Sequence, residues 1–181
     1  MVAFWKKCLP AMSPRFVVKQ EETHLLKQQL KEIKQRSLKL RGQKFMFLCE
    51  DAARQVFWLN IVNYMTLQRM AELALLKPQV LRSLNGYASW QTFWDTTKIH
   101  ITNEEFSVSK ILFSMLRQHQ SLPDFSVIMP EKTPYELLPA SVRDLVVTEP
   151  CPFNFYGVFV PCKNFPPLQV FEPSMLHSQL D

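Results

Sequence analysis

The chain has 181 residues, 47% of them hydrophobic and 20% charged, which excludes a mostly disordered protein and fits one that buries a core. Its three glycines, Gly42, Gly86 and Gly157, stand far apart, which excludes a glycine-rich phosphate loop or a dinucleotide fingerprint. The net charge of +5 is uneven: residues 1–44 hold eleven Lys/Arg against three Asp/Glu, or +8, and residues 45–181 hold ten against thirteen, or −3.

Residues 1–18 have no clear period, contain Pro10 and Pro14, and read as an irregular lead-in. They lack an apolar stretch of signal-peptide length, so a soluble, cytoplasmic protein is expected. Residues 19–41 read as a helix inside a basic 19–44 unit. Leu26, Leu30, Ile33 and Leu40 recur at spacings of four, three and seven, with Ser37 filling the gap in the stripe. Glu32 and Arg36 form an i,i+4 pair of favourable direction. Gly42 stops the helix. The narrow stripe suits either a short coiled-coil strand or one helix laid on a domain. At about three heptads a free-standing coil is marginal. These four residues are the expected contact for a protein partner or a second copy.

Residues 50–76 read as a second helix, capped by Asp51 and ended before Pro78. Ala53, Val56, Phe57, Asn60, Ile61 and Tyr64 form one face, and Trp58, Leu59, Val62 and Met65 much of another. A helix apolar nearly all round is buried on most sides, so this one is expected at the centre of the domain. Its longest uncharged run, Gln55–Gln68, is fourteen residues with two asparagines, too short and polar to span a bilayer.

Further along, Val80–Leu84 reads as a short helix, Asn85-Gly86 as a turn, and Thr97–Ile101 as a short strand leading to a turn at Thr102-Asn103. Phe106–His119 is amphipathic, with Ser107 or Ser109 able to start a helix. Residues 120–150 form a proline-punctuated loop with short helices near Tyr135–Leu138 and Ala140–Leu145. Phe153–Val160 is a β-type run, Leu168–Phe171 a final strand, and Ser174–Leu180 the start of another helix. Helices first and strands later, with no βαβ repeat, give an α+β class.

No Ser/His/Asp set, nucleophile elbow, H-E-x-x-H pattern or carboxylate pair stands out. Cys8, Cys49, Cys151 and Cys162 are too few and too scattered for a disulfide scaffold or a zinc finger. No metal or cofactor is expected. The basic stretch Lys27–Lys44 could meet phosphates, but such runs are more often a solvated helix face. The stretch also lacks interleaved aromatics, so a nucleic-acid partner is not expected.

Three segments, in order, resemble one family. Phe57-Trp58-Leu59-Asn60-Ile61-Val62-Asn63 is similar to the F-W-[IL]-N-x-Y-N helix that opens the family called domain of unknown function 547. Phe106 through Arg117 resembles its F-S-L-x-D-I-E-H-G-I-L-R segment. Phe155–Phe159, followed by Pro166-Pro167-Leu168-Gln169-Val170-Phe171, resembles its strand and S-C-P-P-L-R-V-[YF] segment. Order and spacing agree over residues 45–181. Some members carry a leucine-zipper-like helix ahead of the domain, and residues 19–41 are similar to it. The resemblance implies a papain-like, cysteine-hydrolase-related fold: a helical half followed by a small antiparallel sheet. The family's domain normally runs on past the point where this chain stops, so its C-terminal part is expected to be missing.

The resemblance also implies a site built from a Glu-His pair and a Ser-Cys pair. Here those positions hold Leu112 and Phe113, and Asn164 and Phe165. A cysteine hydrolase needs a thiolate and a base that makes it, and none of these four side chains can be either. A catalytically dead, protein-binding module is therefore expected, its old cleft packed with apolar side chains. The alternatives are a hydrolase with a relocated site, using Cys162 or Cys151 with His100 or His177, and an anionic-surface or nucleic-acid contact through the basic arm.

Overall fold

Helix, strand and loop form where the apolar side chains of each segment can be hidden. The computed structural model describes residues 22–41, 45, 48–84, 87–116, 138–149 and 168–180. In chain order the elements are α1 (Thr23–Leu38), α2 (Asp51–Leu76), α3 (Pro78–Arg82), α4 (Tyr87–Thr96), β1 (Lys98–Ile101), β2 (Glu104–Ser107) and α5 (Val108–Lys110). A π-helical turn (Ile111–Met115) continues α5; α6 (Ala140–Arg143), a 3₁₀ turn (Pro173–Met175) and α7 (Leu176–Leu180) complete the order. The described residues are mostly helical, with one two-stranded antiparallel sheet, and so α+β.

The 26-residue α2 is the central element. Val56, Trp58, Leu59, Ile61, Val62, Tyr64, Met65, Leu67 and Met70 are all buried, on every side of the helix, as an apolar sequence without a polar face requires. Trp58 is fully buried, with Phe57 and Phe106 at ring-centroid distances of 5.0 and 5.2 Å. Aromatic burial of this kind contributes several kcal/mol at each ring. The helix stops where expected: Lys77, forced out of the helical region by the following proline, has φ −145° and ψ 61°, and Pro78 opens α3.

α1 is the laid-down helix, not a free coil strand. Leu26, Leu30 and Ile33 are buried and Leu40 is half-buried, all in the same core as α2. The Tyr64 hydroxyl donates to Ile33 O (3.4 Å), and Lys34 pairs with Glu72 at 2.8 Å. The expected contact stripe is thus spent inside its own chain, and α1 shares one core with the family-like region.

Several local expectations need correction. The one sheet among the described residues lies between α4 and α5. β2 falls where the amphipathic pattern from Phe106 reads as helix. Ile99 pairs with Phe106 and both are buried, while His100 pairs with Glu105 and both face solvent, so the alternation that defines a half-buried strand runs through Glu104–Ser107. The helix begins at Val108, with Ser107 Oγ accepting from Lys110 N at 3.0 Å. Leu168–Phe171, expected as a strand, is in no ladder among the described residues. Asp51 is the first residue of α2, and Glu50 stands at the cap position without a side-chain bond. Of Tyr135–Leu138 only Leu138 is described, and Phe153–Val160 lies outside the described residues.

Candidate functional site

Leu112 and Phe113 sit in the π-helical turn. Its wider winding shows in the Leu116 amide, which donates to Ile111 O, five residues back, at 3.0 Å. Single π turns are rare and often mark functional positions. Leu112 is 2% exposed and Phe113 8%, so both side chains are packed into the core. Neither can move a proton, stabilise an oxyanion or attack a carbonyl. Ser109, also buried, has no hydrogen-bond partner for its hydroxyl among the described residues.

The turn is closed from one side by residues 145–149, and α2 holds that segment. The Trp58 indole N–H donates to Leu145 O (2.7 Å), and Gln55 Nε2 donates to Glu149 O (3.0 Å). One turn earlier, the Asp51 carboxylate accepts from Thr148 N (3.0 Å), Thr148 Oγ1 (2.6 Å) and Glu149 N. Arg54 Nη1 adds an ion pair to Asp51 at 2.7 Å. Asp51, Gln55 and Trp58 share one side of a helix by their spacing of four and three. From the segment itself, Val147 N donates to Met115 O at 2.9 Å, the last residue of the π turn. Burial alone would raise the Asp51 pKa. The bonds from Thr148 and Glu149 and the charge of Arg54 outweigh it and hold the carboxyl below its usual range.

Asn60 and Asn63, on a different side of α2, hold a second segment. Asn60 Nδ2 donates to Phe171 O (3.0 Å) and Asn60 Oδ1 accepts from Phe171 N (2.9 Å). One carboxamide thereby satisfies both backbone groups of one residue, as a neighbouring strand would. Asn63 Nδ2 donates to Gln169 O at 3.4 Å. Residues 60 and 63 on the helix thus meet 171 and 169 on that segment, running in opposite directions. A cleft of about 60 Å³ between them is lined by Asn60, Asn63, Tyr64, Leu67 and Leu168–Val170. Two of the resembling motifs, the F-W-L-N-I-V-N helix and the L-Q-V-F end of the third segment, are therefore each other's partners.

The other expected residues divide cleanly. Asn164, Phe165, Pro166, Pro167, Arg117, Cys151 and Cys162 lie outside the described residues. His100 is exposed on the outer face of the hairpin, 4.0 Å from Glu105, and His177 is exposed on α7. Phe57 is half-buried and rests on Phe45 at 5.0 Å. Among the described residues, no three His, Cys, Asp or Glu side chains gather to hold a metal ion. No helix there is long and apolar enough to cross a membrane. The Asp51 clasp had no signal in the sequence, since Thr148 is 97 residues away. The role of Asn60 did have one: an amide inside an apolar helix must find partners.

Among the described residues, these features define a mostly helical α+β protein whose central helix pins two non-helical segments through side-chain-to-backbone bonds. The chain belongs to the family described as Protein of unknown function, DUF547, whose family model matches residues 48–181. No curated protein and no solved structure matches it. The match begins after α1.

Proposed function

We propose that this protein is a non-catalytic interaction module derived from a papain-like hydrolase fold, with residues 45–181 as the family domain and α1 as an added helix. The carrying observation is the packing of Leu112 and Phe113, at the positions where the family resemblance places Glu and His, into the core at 2% and 8% exposure. The unusual backbone at these positions, a π turn held by residues 145–149, supports the reading. It is the kind of local device that active sites use, here carrying apolar side chains. Loss of the base removes the means of forming a thiolate. Loss of the nucleophile position to Phe165 removes the thiol.

The module's contacts must then come from its surface. The Leu26, Leu30 and Ile33 stripe is occupied by the chain's own core, so a partner meets the outward face of α1 and the exposed surface of the domain.

The test is turnover. The full chain is expected to hydrolyse thioester, peptide and amide substrates no faster than buffer. Hydrolysis that disappears on Cys162→Ala or Cys151→Ala would overturn the proposal.

A further inference from the structure

The buried stripe of α1 fixes which of its sides faces water. Lys27, Lys31, Lys34 and Leu38 stand at spacings of four, three and four, and so form a second stripe along one flank. All four are exposed, and Lys39 and Arg41 continue the exposed cations past the helix end. Lys34 pairs with Glu72, and Arg36 with Glu32. Lys27, Lys31, Lys39 and Arg41 make no ion pair among the described residues. Leu38, 53% exposed, stands in this stripe with the cations, whereas the equally exposed Leu25 lies on the opposite flank beside Glu32. No Phe, Tyr or Trp occurs in α1.

We propose that the outward face of α1 docks on a membrane surface rich in anionic phospholipid. Unneutralised lysines beside an exposed leucine call for a partner that offers negative charge beside an apolar layer. A bilayer interface offers both, with headgroup phosphates and carboxylates above the acyl boundary. A nucleic-acid backbone offers only the charge: it has no place for Leu38, and α1 has no Phe, Tyr or Trp on which unstacked bases could stack. The core stripe stays on α2, so the helix lies on the surface and inserts nothing across it. The exposed Lys27, Lys31, Lys39 and Arg41 orient the molecule with this side toward the membrane.

Co-sedimentation of the full chain with vesicles tests this. Vesicles of phosphatidylcholine with a minority of phosphatidylserine should carry the protein down at low salt, and phosphatidylcholine alone should not. Binding should weaken at about 150 mM salt, where charges are screened beyond about 8 Å. The double variant Lys27→Gln/Lys31→Gln should partition about 25-fold less, at about fivefold per cation. Leu38→Ala should weaken binding at unchanged charge, while Lys98→Gln on the hairpin should not. All three sets of side chains are exposed, so unchanged far-ultraviolet circular dichroism is expected to confirm folding. Three results would overturn the proposal: no binding to phosphatidylserine vesicles, binding indifferent to the double variant, or preference for duplex DNA over those vesicles.

Discussion

The Asp51 carboxylate accepts three hydrogen bonds from Thr148 and Glu149 and an ion pair from Arg54. Its sequence context, at the head of an apolar helix, points to a cap. The helix instead begins at Asp51, and the side chain turns to a segment 97 residues away. No local rule finds a partner at that distance, so the clasp is illegible in sequence although its residue is conspicuous. The carboxyl is held below its usual range in the folded chain, and Glu72, against which burial also works, is held low by Lys34, Gln68 and Arg69. A carboxyl with a depressed folded pKa stabilises the fold above its unfolded value of about 4 and stops doing so as pH falls through the folded value. Asp51→Asn keeps the shape and removes the charge. It is expected to cost about 2 kcal/mol in urea unfolding at pH 7, with the gap to the wild type narrowing toward pH 3. An equal gap at both pH values would show that the charge contributes nothing.

At the scale of elements, length and periodicity decided what could be read. α2 can be read directly from its sequence, since twenty-six helical residues with apolar side chains all round can lie only inside. The hairpin was half legible. β1 alternates cleanly, but β2 is four residues long and runs straight into a helix that Ser107 caps. A two-residue link joins them, with Thr102 at φ 56°. This left-handed conformation is unfavourable for a β-branched residue, and its amide is tied to Leu40 O at 3.0 Å, fastening the tail of α1 to the hairpin tip. For α1 the stripe was legible but its partner was not, because a coiled coil and a docked helix need the same spacing. The two uses separate under Leu30→Ala. The residue is 7% exposed, so truncation is expected to lower the unfolding free energy of the monomer by about 2 kcal/mol or more. An unchanged urea midpoint together with a reduced mass in solution would instead identify α1 as an oligomer seam.

The whole molecule is organised around α2, which faces three different structures with three different sets of polar side chains. Asp51, Gln55 and Trp58 hold residues 145–149; Asn60 and Asn63 hold 169–171; Tyr64 and Glu72 hold α1. Each set lies on its own side of one helix, so loss of the helix would release all three. Sequence motifs located two of these structures without saying that one motif binds the other. The carboxamide of Asn60 bonds both ways to Phe171, and that connection depends on a chain path between them that no periodicity encodes. The charge split was legible from counting alone, and the structure adds its geometry: with its leucines inside, α1 turns its lysines out. Whether the fold still performs chemistry turns on its thiols. A hydrolase with a relocated site needs a cysteine that ionises well below the ordinary thiol range, whereas a bystander cysteine does not. Alkylation of Cys151 and Cys162 in the full chain, followed by peptide mass spectrometry across a pH series, measures this directly. A non-catalytic module predicts no appreciable reaction of either by about pH 6; rapid reaction of either one by that pH would contradict it.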